Sequence, residues 1–395
     1  MHVLIIPSWY PRHPGDINGS FFREQALALQ KHGCKVGVIY PELRSLKNWK
    51  SIFSGKNGIS VEQDEGLITY RSRGINWFPR TVSPYSKLST WHGYRLFLRY
   101  IAEQGMPDIV HVHSLLYASL TAEKILEKHN IPFIATEHST AFARDLIPQN
   151  GLLIAKKSSK KAEKRLAVSN EFAQLLNLKI GSEKSKWEEI PNIVSDIFLN
   201  KKLPNKKTEN HFEFINIALM DKKKNQDNII LAFAQLCETH SKLSLTIGGN
   251  GPEKSKLEAL TRELGISEKV KFPGLLTREQ VLKSMAAADA FILASRYETF
   301  GVVVIEALAL GKPVIATRCG GPESIVRDED GILVPVDDVD ALKNAMHYLI
   351  QNKNKYDPQE IRQSCSNRFS ERAVAERLKE IYAKIISKKS QTNES

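Results

Sequence analysis

Residues 295–317 read SRYETFGVVVIEALALGKPVIAT, and the way this stretch folds decides the architecture of the second half of the chain. The segment before it, AFILAS, is apolar and strand-sized. Glu298 and Thr299 form a short polar break, and VVVIEALAL is apolar enough for a packed helix. Gly311 and Pro313 stop that helix before a further apolar run, VIAT. The reading is strand, loop, helix, strand. A helix that begins just after such a loop presents free backbone N–H groups and the positive end of its dipole, a ready site for phosphate, and Gly301 lets a diphosphate approach closely. At 3.6 residues per turn Glu306 lies about a turn and a half into the helix, while Glu298 stands at the loop's lip, so the two carboxylates can address different parts of one ligand. The plainer reading has Glu298 capping the helix and Glu306 paired with a basic residue on a wet face. It fits the whole segment poorly, because Glu306 is embedded in apolar sequence where an unpartnered charge is costly.

Working outward, strand and helix patterns alternate on both sides. FEFINIALM, LSLTIGG, KVKFPG and AFILAS read as strands, separated by the helical stretches NIILAFAQLCETH, PEKSKLEALTRELG and EQVLKSMAAA. The first half has the same rhythm in MHVLIIPSW, FFREQALALQKHG and KVGVIY, then DIVHVH and PFIATEH. The less regular stretch from Pro41 to Pro84 is expected to form hairpins or loops. Parallel strands with covering helices are the economical solution, so the expected fold is α/β, two doubly wound Rossmann-like domains facing a cleft. The polar stretch Asn200–His211 is read as the linker, which gives a first domain over 1–200 and a second over 201–370. A last amphipathic helix, about 371–388, carries Val374, Leu378, Ile381, Tyr382 and Ile385 and is expected to pack back on the first domain.

At 395 residues, 42% hydrophobic and 25% charged, the chain has an ordinary globular composition and room for two cores. No run approaches the roughly 18–20 apolar residues of a membrane span, and the start shows no basic leader with a small-residue cleavage site. The dispersed Cys34, Cys237, Cys319 and Cys365 fit a reducing cytoplasm. The net charge of +12 is concentrated in residues 1–200, with 26 Lys and Arg against 18 Asp and Glu. Within Gly151–Arg165, Lys156, Lys157, Lys160, Lys161, Lys164 and Arg165 face only Glu163, just after the apolar LLIA. An anionic membrane surface is therefore a candidate partner, with the protein cytoplasmic and peripheral at the inner face of the plasma membrane. No basic region interleaved with aromatics points to nucleic acid.

The segment ETFGVVVIE resembles the E-x7-E signature of glycosyltransferase family 4, retaining enzymes of the GT-B fold. LTIGGNGPEKSKLEAL, KVKFPGLL and MAAADAFILAS upstream are similar to that family's glycine loop, base-contacting strand and following strand. GKPVIATRCGGPESIV and DGILVPVDDVDAL downstream are similar to its closing segments. The likeness is dense from Ile215 to Leu342 and thinner before, where GSFFREQALALQKHG, DIVHVHS, ATEHST, LAVSNEF and IPNIV match family positions. The resemblance implies that Glu306 holds the ribose hydroxyls of a nucleotide-sugar donor. It places Glu298 on the donor sugar, with Thr299, Phe300 and Gly301 at the sugar and diphosphate. Lys224 would pair with the diphosphate and offset charge on the leaving group. Gly19 and Ser20 match a phosphate loop, and His113 matches an acceptor-side histidine, with His111 and His138 as its competitors.

Three positions depart from the family pattern. No arginine precedes the lysine in IALMDKKKN, so Lys222 or Lys223 would have to stand in; the usual glycine pair is Gly19-Ser20; and Ile193 follows Pro-Asn where glycine is usual. No D-x-D motif ends a strand, and neither metal nor cofactor is expected. The resemblance implies sugar transfer, with UDP favoured as the nucleotide and GDP next. The opening IIPSWYPRHPGDINGSFFREQALAL is similar to enzymes of bacterial surface polysaccharide assembly, whose acceptors are lipid-linked saccharides. A nucleotide-sugar epimerase of the same architecture is the alternative from another class.

Overall fold

The computed structural model describes residues 1–394 apart from 14–15, 17, 46–57, 78–81, 182–185 and 203–210. The chain divides into two compact units, Met1–Ile193 with Glu371–Ser395, and Val194–Ser370. The change of unit falls at Ile193–Val194, earlier in the chain than the linker read from composition. Residues 203–210 of that linker lie outside the described residues.

The first unit is built on an eight-stranded sheet. In chain order its strands are β1 His2–Pro7, β2 Lys35–Ser45, β3 Gly58–Asp64, β4 Leu67–Asn76, β5 Ile109–His113, β6 Phe133–Glu137, β7 Lys164–Ala167 and β8 Trp187–Glu189. They lie in the order β3-β4-β2-β1-β5-β6-β7-β8. The central strands are apolar on both faces, as buried parallel strands must be: Val3 to Ile6 are all solvent-inaccessible. Every pairing is parallel except that of β3 with β4. These two form a hairpin closed by Glu65 and Gly66, both at positive φ (51° and 81°), the turn that matches strand twist. Thus the irregular stretch contributes strands to the main sheet, while residues 46–57 and 78–81 within it lie outside the described residues. The last helix, Glu371–Glu394, belongs to this unit. Its Val374, Ala375, Leu378 and Tyr382 are fully buried in one cluster with Val3, Ile5, Phe22 and Leu29.

The second unit carries six parallel strands: β9 Phe212–Ile217, β10 Leu243–Gly248, β11 Val270–Gly274, β12 Ala290–Leu293, β13 Val314–Thr317 and β14 Gly331–Val334. Their order is β11-β10-β9-β12-β13-β14. The chain therefore winds outward one way from β9 and, after β12, the other way. In such sheets ligands bind at the carboxyl ends of the two strands where the direction reverses, here β9 and β12.

The basic run of the first unit lies mostly on the helix Gln149–Lys161 and is less available than its composition implies. Lys161 is held by Glu123 (2.6 Å) and Glu127 (2.9 Å), and Lys164 contacts Glu188. The Arg165 guanidinium donates to the carbonyls of Ser159 and Ala162. Lys156, Lys157 and Lys160 remain exposed, on one helical face with Leu153 at i, i+3, i+4 and i+7. Leu153, together with Leu146 and Leu178, is among the large apolar side chains left in solvent. No helix of the described residues is long and apolar enough to cross a membrane.

Candidate functional site

In the second unit the two strands at the switch point deliver the sequence-predicted residues. After β9 the chain makes a short 3₁₀ turn, Lys222–Lys224, begun by Asp221, whose carboxylate accepts from the Lys223 N–H at 3.2 Å. After β12 comes the loop with Ser295 and Glu298. The two loops meet: the Lys224 ammonium contacts Glu298 Oε1, and Ser295 Oγ donates to the same oxygen at 3.0 Å. Both side chains of this pair are largely shielded from solvent.

The helix expected from the opening segment spans Val302–Ala309, with Gly301 at its N-cap in the left-handed region (φ 101°) and no side chain capping it. The first-turn N–H groups are thus not consumed by Glu298, as the capping alternative required. Thr299 and Phe300 lie buried beside this start; the Phe300 ring packs edge-on against Phe369, so what Phe300 presents outward is backbone. Glu306 is 7% exposed, and Arg278 Nη2 lies 3.7 Å from its carboxylate.

Two glycines that the motif reading passed over hold this loop. The Glu298 backbone bridges Gly320, and Gly321 N–H donates to the Glu298 carbonyl at 2.8 Å. A Cβ on Gly321 would lie 2.3 Å from the Phe300 backbone, so only glycine permits the approach. The signal was legible as the Gly-Gly pair in TRCGGPES.

The first unit reverses winding between β1 and β5. Gly19 (φ 81°) caps the helix Ser20–Lys31 in the stretch after β1, with a half-buried Ser20 opening the helix. His113 ends β5. Its backbone carbonyl accepts from the Ser8 N–H at 2.9 Å, and its ring lies 4.9 Å from that of Phe22 on the same helix. The three candidate histidines separate clearly. His111 bonds the Tyr382 hydroxyl (2.6 Å) and Thr136 Oγ1 (2.7 Å), so both ring nitrogens serve the core. His113 Nδ1 meets His138 Nε2 at 3.1 Å, while His113 Nε2 is buried with no hydrogen-bond partner among the described residues. Burial pulls the His113 pKa down to about 3 and holds His111 and His138 well below the usual imidazole value, so all three are neutral. Glu137, absent from the sequence candidates, is fully buried and accepts from the N–H groups of Leu115, His138 and Ser139, which ties the loops after β5 and β6 together.

Comparison with known proteins follows the same division. A family described as Glycosyltransferase Family 4 matches residues 19–196, and one described as Glycosyl transferases group 1 matches residues 199–369. The chain is 24% identical over 265 residues to a glycogen synthase of Mycobacterium tuberculosis, 62% of this chain and 61% of that one, so the match spans less than two thirds of that relative's length. It is 33% identical over 107 residues to the lipopolysaccharide core biosynthesis glycosyltransferase LpsE of Rhizobium meliloti, 27% of this chain and 31% of LpsE. The structure of Anabaena HepE in complex with UDP and glucose superposes with a TM-score of 0.71 at 17% identity, covering 97% of this chain and all of that one, a likeness of fold.

Proposed function

The chain belongs to glycosyltransferase family 4, enzymes of the GT-B fold, and we propose that it moves a hexose from a nucleotide-sugar donor to a saccharide acceptor with retention of configuration. The observation that carries this reading is the Lys224–Glu298 contact at the switch point, beside a helix start that no side chain caps. A diphosphate laid on that start is met by backbone N–H groups, by the helix dipole and by Lys224, which stabilises the charge that builds as the sugar leaves. No metal is called for. Glu306 is buried in the helix that starts at this loop; in this reading its carboxylate takes the ribose diol and Glu298 takes hydroxyls of the sugar. Attack comes from the face the diphosphate leaves, with the departing phosphate oxygen taking the acceptor's proton.

UDP is the favoured nucleotide and GDP the next, a choice supported by the UDP bound in HepE. For the acceptor, a lipid-linked saccharide of bacterial surface polysaccharide is supported by the likeness to LpsE and by the exposed stripe of Leu153, Lys156, Lys157 and Lys160. Such a stripe fits an anionic membrane face, with the lysines at the headgroups and the leucine below them. In this reading the protein works at the cytoplasmic face. His113, at the end of β5, borders the acceptor.

The test is incubation of the protein with UDP- and GDP-hexoses, with and without extracted lipid-linked saccharides, followed by mass spectrometry and NMR of the new linkage. The reading expects nucleoside diphosphate release with the acceptor present and a product anomer equal to the donor's. Conversion of the sugar by donor alone, or an inverted linkage, contradicts it.

A further inference from the structure

Two residues of the second unit hold left-handed backbone that glycine adopts far more readily. Asn225 (φ 55°) ends the lysine turn and Asp337 (φ 59°) follows β14. They are bonded to each other, Asn225 Nδ2 donating to Asp337 Oδ1 at 3.1 Å. The same carboxylate takes the Arg296 guanidinium, through Nε at 2.9 and 3.1 Å and Nη2 at 2.8 Å. Arg296 in turn donates Nη1 to the Lys222 carbonyl (2.7 Å) and its backbone N–H to the Lys223 carbonyl (2.8 Å). Lys222 and Lys223 run straight into Lys224, and Arg296 shares its short loop with Glu298. One carboxylate from a third loop therefore fixes both loops that supply the Lys224–Glu298 pair.

Stability does not account for this arrangement. The Arg296 and Asp337 side chains are 34% and 50% exposed, and an ion pair so open to water adds little to it. Two non-glycine residues in left-handed backbone subtract from it, and such strain persists where a fixed geometry is needed.

We infer that Asp337 is a positioning residue for the donor site: it holds Arg296 and Asn225 so that Lys224 and Glu298 meet a diphosphate in register. This rests on the reading that the site binds a nucleoside diphosphate.

The test is Asp337→Gly, which removes the carboxylate and relaxes the backbone at once. Wild type and variant are titrated with UDP, GDP and ADP, their melting temperatures are taken, and kcat and KM are measured with the donor the wild type uses. The expected result has the two readouts diverging. The melting temperature stays level or rises, because glycine accepts this φ without strain, while nucleotide affinity and kcat/KM fall roughly tenfold or more through misplacement of Lys224. Asp337→Asn, which keeps an acceptor for Asn225 and for one guanidinium N–H, recovers part of the loss. Unchanged affinity and kcat/KM in Asp337→Gly overturn the inference, and so does a loss of activity that only tracks a lowered melting temperature. If the wild type itself binds none of the three nucleotides, the functional reading falls and the inference falls with it.

Discussion

The ammonium of Lys224 and the carboxylate of Glu298 meet across 74 residues of sequence, at the carboxyl ends of neighbouring strands. In this contact Glu298 competes with a diphosphate for the lysine. Glu298→Gln removes a negative charge from beside the phosphate site and frees Lys224, so the variant should bind free UDP at least as tightly as wild type. Its turnover should fall by about a hundredfold, because the sugar loses a positioning carboxylate. Lys224→Ala should weaken both UDP binding and turnover. Calorimetric titration beside steady-state rates separates the two residues; weaker UDP binding by Glu298→Gln would remove it from the assigned role.

Tyr382 joins the last helix to the first unit's core and to His111. Tyr382→Ala should cost about 3–5 kcal/mol, the range for emptying an aromatic site in a packed core. Tyr382→Phe keeps the ring but leaves His111 Nδ1 without its hydroxyl partner, a cost of about 1–3 kcal/mol. Urea unfolding of both variants checks the order; equal stability of wild type and Tyr382→Phe contradicts it.

The neutral histidine cluster gives an acid dependence of definite sign. Folding lowers the His113 pKa from 6.5 to about 3, so between these values the unfolded chain binds a proton that the folded one refuses. Its contribution is whole above pH 6.5 and is lost as pH falls, at up to about 1.4 kcal/mol per pH unit. Unfolding midpoints at pH 7.5 and 5.0 should draw closer together in His113→Asn than in wild type, whatever the variant does to stability at either pH. Buried Glu137, whose carboxyl is pushed up by desolvation, works in the opposite direction and cancels in this comparison.

At the membrane, three exposed lysines should count and the other three cations of the run should not. Changing Lys156, Lys157 and Lys160 together to Gln should lower partition onto anionic vesicles by roughly fivefold per lysine, an effect that salt abolishes. Changing Lys161, Lys164 and Arg165 should leave partition unchanged, since their partners lie within the protein. Equal pelleting of wild type and the first variant contradicts the assignment.

The parallel sheets were legible in the sequence because buried strands such as VLII and FIL leave no polar face to hide. The β3–β4 hairpin falls within the stretch expected to form hairpins or loops, but its place in the main sheet was not legible, since β3 is half exposed and the turn is Glu-Gly, a weak signal. At the site, Glu298 and Glu306 stood out through spacing and context, and Lys224 through the family resemblance. Asp337 and Glu137 did not, because each acts on groups of another loop, and local pattern carries no record of which loops meet. The share of the basic run left free was illegible for the same reason: the acidic partners Glu123, Glu127 and Glu188 lie elsewhere in the chain.

The central claim is that the helix start after Glu298 and the carboxylate of Glu306 hold the nucleotide part of a sugar donor. Calorimetric titration of UDP and GDP into wild type and Glu306→Ala tests it most directly. The account predicts that a nucleotide binds the wild type and that the variant loses roughly tenfold to a hundredfold in affinity, the worth of hydrogen bonds to a charged group, with its fold intact by circular dichroism. Binding of equal strength to both proteins, or to neither, contradicts it.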